Sequence, residues 1–333
     1  MPQNILIYGA GAIGCVVAAR LILAGHKVTV LSRGKKKEIL EKNGIHLTDL
    51  TGEHHVYLDR VVDVNSELEP QDYIFIATKF NALAEISSSL SKYLHDQTVI
   101  VPLMNGIPFW YFYGLDNQSE SKRIKRLDHN GQLIENFPLK HLIGAVVFIT
   151  AQSESEGHVK SENPYLLIFG EPKHQLTDRL SQLVELFKNT EIEARPVDHI
   201  RDQIWTKVMA NLSSNPLSVV ADAPLSQIYS NQYLVNITQQ ILYEVRAVAA
   251  CYGARLSIDP QTFLKLGTEM GETYTSMWHD FKNNRVLELE SIAEAVFELA
   301  DVYDCPMPIT KQIYNLTQYL SEQSMKRDNN YGK

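Results

Sequence analysis

The stretch that decides the fold is Asn4-Ile5-Leu6-Ile7-Tyr8-Gly9-Ala10-Gly11-Ala12-Ile13-Gly14, near the start of the 333-residue chain. Its first five residues predict a short buried strand, and the helical spacing of apolar residues over 13–24 predicts the helix that follows. Three glycines in the pattern G-x-G-x-x-G stand between the two. A second apolar strand is predicted at residues 27–31, which is the distance expected in a β-α-β unit.

Each glycine of this turn has a physical reason to be there. The first permits the tight turn, the second lets the backbone approach a pyrophosphate, and the third lets the helix pack closely on the strand. The helix N-terminus then offers free N–H groups and a partial positive charge to phosphates. We therefore predict a Rossmann-type dinucleotide-binding unit; the alternative is a purely structural glycine-rich turn. The candidate cofactor-binding residues are Gly9, Ala10, Gly11, Ala12, Ile13 and Gly14.

The end of the second predicted strand indicates which dinucleotide is used. An NAD enzyme usually has an acidic residue there that binds the ribose 2′-hydroxyl, whereas this chain reads Leu31-Ser32-Arg33-Gly34. An arginine suits a 2′-phosphate, and three lysines at 35–37 add positive charge. The pattern predicts NADPH/NADP+ as the cofactor; the alternative is that Arg33 is simply an exposed side chain.

The two halves of the chain differ in their periodicity. After the first unit, strands are predicted at residues 73–77 and 98–103 with a helix at 82–94 between them. Strands at 143–149 and 165–169 are expected to extend or flank this sheet, followed by a helix at 176–188 and a strand at 192–197. From residue 198 only helices are predicted, at 200–220, 233–252, 260–270, 287–303 and 309–322. We predict an α/β protein with an N-terminal Rossmann-type domain (1–197) and an all-α C-terminal domain (198–333). Residues 115–141 are expected to form a polar, loop-like insertion.

Composition excludes several classes of function. The formal net charge of -8 is unfavourable for a general polyanion-binding surface, so no nucleic-acid partner is expected. The apolar stretch at 5–24 lacks a basic start and is interrupted by Arg20, which favours strand and helix over a signal peptide. No other run is long enough to span a bilayer, so no membrane partner is expected.

The cysteines indicate neither a disulfide framework nor a zinc site. Cys15, Cys251 and Cys305 are odd in number and contain no CxxC pair, which is typical of a reducing compartment. We therefore expect a cytoplasmic protein. Glu53-His54-His55 lacks the spaced partners of a metal site and is interpreted as a surface turn, so no metal is expected.

Three polar residues share one face of a predicted helix. Lys207, Asn211 and Asn215 are four residues apart, so they fall within about 80° of arc. Pro216 follows and is expected to bend or break the helix. Taken by itself, the pattern favours a polar stripe that faces solvent over a functional site.

This helix is where the sequence resembles a known family. Trp205-x-Lys207-x-x-x-Asn211-x-x-x-Asn215-Pro216-Leu217 is similar to the helical signature of the ketopantoate reductases (2-dehydropantoate 2-reductases). The resemblance extends over roughly residues 4–310 and, besides the glycine turn and Arg33, rests on Thr78-Lys79, Asn105-Gly106 and Ser276-Met277 followed by Asp280 and Glu288.

The resemblance implies an NADP-dependent oxidoreductase that reduces 2-dehydropantoate (ketopantoate) to pantoate in pantothenate and coenzyme A biosynthesis. It implies that Lys207 is the general acid and that Glu288 is a catalytic residue contacting cofactor or substrate. It further implies substrate binding by Asn105, Asn211, Asn215 and Ser276, and cofactor contacts by Lys79, Asn105 and Glu288. A small 2-oxo acid is thus the expected partner, and a homodimer is compatible with the family.

Several alternatives stay open. Glu288 can instead pair with Arg285 on the helix surface, and Ser276 can serve as a helix N-cap. The aromatic run Phe109-Trp110-Tyr111-Phe112-Tyr113 can either pack in the core or reshape the pocket. Asp222-Ala223-Pro224-Leu225 and Thr273 stand where family members often have asparagine, so a substrate contact is missing or replaced. The functional alternatives are reduction of another 2-oxo acid or related carbonyl compound, and a non-catalytic NADPH-sensing protein.

Overall fold

The computed structural model describes residues 3–115, 122–154 and 157–331, and the chain forms two compact units. The first unit comprises Met1–Met104, Phe109–Arg123 and Asn130–Ile200. The second comprises Asn105–Pro108, Ile124–His129 and Arg201–Lys333. Two short segments from the first half of the chain therefore belong to the second unit, which no pattern in the sequence indicates.

All strands of the described residues lie in the first unit and form three sheets. They are β1 (Ile5–Tyr8), β2 (Val28–Leu31), β3 (Ile45–Asp49), β4 (Gly52–Val56), β5 (Arg60–Val62), β6 (Tyr73–Ile76), β7 (Val99–Pro102), β8 (Gly144–Phe148), β9 (Gln152–Ser153), β10 (His158–Lys160), β11 (Tyr165–Gly170) and β12 (Ile192–Pro196).

The main sheet is parallel throughout, with strand order β5-β2-β1-β6-β7. Every residue of β1, β2, β6 and β7 is buried, as expected for a parallel sheet covered on both faces. The strand order reverses at β1, which has β2 on one side and β6 on the other. The predicted α/β class and Rossmann-type architecture are confirmed by this sheet.

Two smaller sheets complete the first unit. Strands β8, β11 and β12 form a three-stranded sheet that flanks the main one. The two sheets are joined just before β8, where the Ile143 amide donates to the carbonyl oxygen of Ile100 in β7 at 2.9 Å. The four-stranded sheet β4-β3-β10-β9 was not expected. Glu53-His54-His55 lies in its strand β4, so the interpretation of this tripeptide as a surface turn was wrong.

The helices of the first unit are α1 (Ala12–Leu23), α2 (Gly34–Asn43), α3 (Leu83–Ser89), α4 (Gln132–Asn136) and α5 (Asp178–Leu186). Helix α4 lies in the segment 115–141, so that segment is not loop-like throughout; its residues 116–121 lie outside the described residues. In the aromatic run, Phe109, Trp110, Tyr111 and Phe112 are buried. The Trp110 ring packs so closely on Gly144 that a Cβ there would lie 2.5 Å away, so packing accounts for this tryptophan.

The rest of the chain is helical, as predicted. The helices are α6 (Ile200–Ala221), α7 (Leu225–Ser230), α8 (Val235–Cys251), α9 (Pro260–Glu269), α10 (Ser276–Lys282), α11 (Ala295–Val302), which follows a π-helical turn at Glu290–Glu294, and α12 (Pro308–Tyr331). Helix α6 continues through Pro216 to Ala221, so Pro216 does not break it. The surrounding turn is buried on all sides, and packing therefore outweighs the hydrogen bond that proline cannot make. Within the described part of the chain, no helix is long and apolar enough to cross a membrane.

A buried ion pair joins α1 to the unexpected four-stranded sheet. Arg20 of α1 donates to Asp49 of β3, and their side chains are 3% and 1% exposed. The Asp49 carboxylate also accepts from the Thr51 amide at 3.0 Å and from the Tyr165 hydroxyl at 2.9 Å. Burial by itself would raise the pKa of Asp49, but these hydrogen bonds hold it below its usual value.

Asp49→Ala is expected to lower the free energy of unfolding by about 3–5 kcal/mol, because it leaves the Arg20 guanidinium buried without its counter-ion. The matched control is Glu185→Ala, which removes an exposed pair with Lys188 and is expected to cost less than about 1 kcal/mol. Urea titrations of both variants measure the difference. Equal decreases in the free energy of unfolding of the two variants would show that the buried Arg20–Asp49 pair stabilises the fold no more than an exposed pair.

Candidate functional site

One group of candidate residues lies at the carboxyl edge of the parallel sheet, in the first unit. The Gly9 amide donates to the Leu31 carbonyl oxygen at 3.0 Å, and the Ala77 amide donates to the Tyr8 carbonyl oxygen at 2.9 Å. These bonds hold together the chain segments that leave β1, β2 and β6. The glycine turn, Arg33 and Lys79 therefore all follow strand ends at one edge, at the reversal point where ligands of open α/β sheets bind.

The geometry of the three glycines agrees with the role predicted for each. Gly9 has a φ of 111°, a backbone conformation that residues with a side chain rarely adopt. A Cβ on Gly14 would lie 2.1 Å from the Gly9 carbonyl oxygen, so only glycine allows α1 to approach the turn this closely. Gly11 is exposed, and a Cβ there would be in ordinary contact, 3.6 Å from the Ala77 carbonyl oxygen. Gly11 thus leaves its backbone accessible to a ligand.

The N-terminus of α1 fits an anionic group. Gly11 is the N-cap residue and brings no side chain to cap the first turn, and Ala12 and Ile13 follow as its first two residues. The N–H groups of a first helical turn have no acceptor within the helix. Beside the turn, the buried Thr78 hydroxyl has no hydrogen-bond partner among the described residues. The residues present therefore fit a dinucleotide phosphate. Thr78 was named in the sequence only as part of the Thr78-Lys79 match, and its hydroxyl is a further polar group at this turn.

The positive charge after β2 is partly neutralised. Arg33 lies 2.9 Å from the Glu85 carboxylate of α3, and both side chains are about 60% exposed. Lys37 lies 2.9 Å from Asp63. Arg33 is therefore exposed, as the alternative interpretation has it, and an acidic side chain that the sequence did not reveal already contacts it. An exposed pair of this kind contributes little to stability.

A second, separate group of candidate residues lies on helix α6, in the second unit. Lys207, Asn211 and Asn215 recur at four-residue spacing within one unbroken helix, so they share a face. Asn211 and Asn215 are 8% and 5% exposed, and Lys207 is half-buried. The solvent-facing stripe is therefore excluded for the two asparagines. Burial lowers the pKa of Lys207 from its ordinary value to about 8.

Buried hydroxyl groups hold α6 on its neighbours. The Ser213 hydroxyl lies 3.1 Å from the Tyr229 hydroxyl of α7, and the Ser214 hydroxyl donates to the Asn215 side-chain oxygen at 3.3 Å. The Ser218 hydroxyl lies 2.6 Å from the Thr275 hydroxyl at the start of α10. The contacts with Tyr229 and Thr275 fix the rotation of α6 about its axis, whereas the Ser214–Asn215 bond lies within the helix.

Ser276 is exposed and is the first residue of α10. The N-cap is Thr275, whose hydroxyl oxygen accepts from the Trp278 amide at 3.1 Å. The alternative that Ser276 is the cap was therefore wrong. Because Thr275 also contacts Ser218, the structure ties the start of α10 to the helix that carries Lys207.

Glu288 and Asn105 also belong to the second unit. Glu288 is half-buried and stands two residues before the π-helical turn Glu290–Glu294. The Ile107 amide donates to the Ser291 carbonyl oxygen of this turn at 2.8 Å, and Gly106 packs against the same residue. The Asn105-Gly106 segment is thus held beside the turn that follows Glu288. Arg285, the alternative partner of Glu288, lies 3.7 Å from Asp280.

The positions that depart from the family pattern have structural roles. Asp222 accepts from the Trp278 indole nitrogen at 2.7 Å and lies 3.0 Å from Lys282. The Leu225 amide donates to the Thr273 carbonyl oxygen at 2.9 Å. The turn after α6 is therefore joined to α10 and to the loop before it by contacts that need neither asparagine.

Comparison with known proteins agrees with this architecture. Residues 5–174 match the family described as ketopantoate reductase PanE/ApbA, and residues 199–321 match its C-terminal region. The 2-dehydropantoate 2-reductase of Mesorhizobium japonicum (strain LMG 29417 / CECT 9101 / MAFF 303099) is 30% identical, over 96% of this chain and 98% of that protein.

Two solved structures are similar at lower identity. The D-mandelate dehydrogenase in complex with NADH and anilino(oxo)acetate has a TM-score of 0.81 at 19% identity, covering 97% of this chain and 99% of that one. The dimeric ketopantoate reductase from Staphylococcus aureus has a TM-score of 0.74 at 21% identity, covering 96% and 99%. At such identities the likeness concerns the fold.

The parallel sheet, the glycine turn and the helical second unit define a Rossmann-type oxidoreductase that works with a nicotinamide dinucleotide. More narrowly, the chain belongs to the ketopantoate reductase family, which its match to both regions of the family and its likeness to the Mesorhizobium enzyme show. The resemblance seen in the sequence is thereby confirmed.

Proposed function

We propose that this protein reduces ketopantoate to pantoate with NADPH, and that the reaction belongs to pantothenate and coenzyme A biosynthesis. The observation that carries the proposal is the polar face of α6, where the half-buried Lys207 has a pKa of about 8 and is followed by two buried asparagines. Relatives named 2-dehydropantoate 2-reductase support the substrate. In this proposal, the domain of residues 1–197 holds the cofactor and that of residues 198–333 binds the substrate.

Reduction of the ketone of a 2-oxo acid requires a proton donor, and the substrate must be bound by groups that are mostly uncharged. When bound, NADPH supplies the hydride that adds to the ketone carbon. Negative charge then develops on the ketone oxygen, and the Lys207 ammonium stabilises this charge and donates a proton to it. A donor whose pKa is about 8 is mainly protonated at neutral pH and gives up its proton more readily than an ordinary lysine.

The remaining site residues bind and orient. Asn211 and Asn215 offer amide donors and acceptors without adding charge, and the exposed Ser276 hydroxyl holds the substrate carboxylate or hydroxyl. Asn105 contacts substrate and cofactor, and Lys79 contacts the cofactor. Glu288 orients Lys207 and contacts cofactor or substrate.

A second candidate function is reduction of another 2-oxo acid. The D-mandelate dehydrogenase of the same fold was solved with anilino(oxo)acetate and NADH, and Asp222 and Thr273 depart here from the ketopantoate reductase pattern.

We also propose a homodimer, since the Staphylococcus aureus enzyme is described as dimeric. A protein that only senses NADPH has no need of Lys207, Asn211 and Glu288 together, so catalysis is the better account of these three residues.

The substrate is tested by NADPH oxidation with ketopantoate, 2-oxoisovalerate and phenylglyoxylate. Ketopantoate is expected to have the highest kcat/KM, because a site that hydrogen-bonds the 4-hydroxyl group disfavours an analogue without it. Turnover of 2-oxoisovalerate at an equal rate would replace the proposal with a general 2-oxo acid reductase. A preference for phenylglyoxylate would favour the mandelate-type alternative, and no turnover of any acid would favour the sensor.

The cofactor is tested at Arg33. Arg33→Ala is expected to raise the dissociation constant of NADPH by roughly tenfold or more, and to leave that of NADH nearly unchanged, because a charge-assisted contact contributes about 1.5–3 kcal/mol. Glu85→Ala is expected to tighten NADPH binding, since the carboxylate competes for Arg33 and repels the 2′-phosphate. Arg195→Ala, which breaks an exposed pair on β12, is the matched control. Equal weakening of both cofactors would contradict the assignment.

The proton donor is tested by Lys207→Ala. Turnover is expected to fall by about 10²–10⁴-fold or more, because a general acid acts mainly on charge present in the transition state. NADPH affinity, followed by fluorescence, is expected to change little and reports that the cofactor domain is folded, while circular dichroism checks the helices of the second domain. Lys265→Ala, an exposed lysine on α9, is the control. A Lys207→Ala turnover within about threefold of the wild type would exclude the role.

A further inference from the structure

Two of the three cysteine side chains are in contact in the folded protein although the residues are far apart in the sequence. The sulfur of Cys251, the last residue of α8, lies 3.2 Å from the sulfur of Cys305, in the turn between α11 and α12. Both are free thiols; Cys251 is exposed and Cys305 is half-buried. Cys15, by contrast, is buried in the core of the first unit.

Contacts on either side of the two thiols hold their backbones in place. The Tyr252 hydroxyl donates to the Leu299 carbonyl oxygen at 2.9 Å, and its ring packs edge-on against Tyr303 with centroids 5.1 Å apart. The Cys305 amide donates to the Ala300 carbonyl oxygen at 3.0 Å. The end of α8 is therefore fixed on the end of α11 by bonds that do not involve sulfur, and the two sulfurs can join with little backbone movement.

We propose that Cys251 and Cys305 are a redox-active dithiol that peroxide oxidises to an intramolecular disulfide. The exposed Cys251 sulfur, as thiolate, attacks one oxygen of hydrogen peroxide, the O–O bond breaks, and the departing hydroxide takes up a proton to leave as water. The Cys305 sulfur then attacks the resulting Cys251 sulfenic acid. The S–S bond forms, the S–O bond breaks, and hydroxide leaves as water with the Cys305 proton. Two thiols and one peroxide thus give one disulfide and two waters.

The surroundings of the pair agree with this order of events. Cys251 presents its sulfur to solvent, where a small oxidant reaches it. The contact with Cys251, together with partial burial and the nearby Asp304 carboxylate, raises the pKa of Cys305, so this thiol keeps its proton until the second step. A dithiol reductant reverses the reaction by thiol–disulfide exchange.

The disulfide would close the segment 251–305, which contains α9, α10 and α11. Closing a long segment restricts the unfolded chain more than the folded one, so the oxidised protein is expected to unfold at a higher temperature. The segment also contains Ser276 and Glu288, but the proposal does not depend on their roles.

The test counts thiols in the denatured protein after the native protein has been treated with stoichiometric hydrogen peroxide. The number of reactive thiols in the wild type is expected to fall from three to one. Dithiothreitol is expected to restore the two lost thiols. Cys15→Ala is the matched control and is expected to lose the same two. Non-reducing peptide mapping is expected to join Cys251 to Cys305 within one chain.

Thermal unfolding supplies the second readout. Peroxide is expected to raise the Tm of the wild type by several degrees and to leave that of Cys305→Ser unchanged. Retention of all three thiols, a disulfide that involves Cys15, or linkage between two chains would each overturn the proposal. A Cys251–Cys305 bond without a rise in Tm would overturn the stabilising effect assigned to it.

Discussion

The close approach of helix α1 to the end of strand β1 is the constraint on which the first unit depends. A Cβ on Gly14 would lie 2.1 Å from the Gly9 carbonyl oxygen, and Gly9 adopts a φ of 111°. Only glycine satisfies both conditions without displacing the helix. Because α1 keeps this place, its N-terminus lies at the edge where β1, β2 and β6 end, and the exposed backbone of Gly11 remains accessible to phosphate.

In the second unit, helix α6 carries buried polar side chains, and these need hydrogen-bond partners within the protein. The hydroxyl groups of Ser213 and Ser218 pair with Tyr229 and Thr275, so the helix is held on two neighbours by directional bonds. Burial of this helix is also what lowers the pKa of Lys207. Packing and acidity are thus linked, since the environment that stabilises α6 makes the Lys207 ammonium more acidic than that of an ordinary lysine.

The fold could be predicted from the sequence where one local signal dominates. The buried strands β1, β2, β6 and β7 are short apolar runs, and the glycine turn determines how β1 connects to α1. The sheet β4-β3-β10-β9 was missed because β4 reads Gly-Glu-His-His-Val, with no apolar alternation, and because β3 pairs with β10 more than a hundred residues later.

The site was predictable to a similar extent. Spacing brought Lys207, Asn211 and Asn215 onto one face, and the structure adds that the two asparagines are buried. Spacing could not show that Thr275, not Ser276, caps α10, since either residue is a good N-cap. It also could not show that Glu85 contacts Arg33 or that Cys251 meets Cys305, because these contacts depend on how whole elements pack.

The measurement that tests the central claim most directly is the pH dependence of kcat/KM for the 2-oxo acid that the enzyme accepts best. If the Lys207 ammonium is the proton donor, activity requires its protonated form, and burial places its pKa at about 8. The rate constant should therefore stay level below about pH 7 and fall roughly tenfold for each pH unit above the pKa. A rate constant that remains level to about pH 10 would contradict the account, because an active enzyme would then have no need of a protonated Lys207.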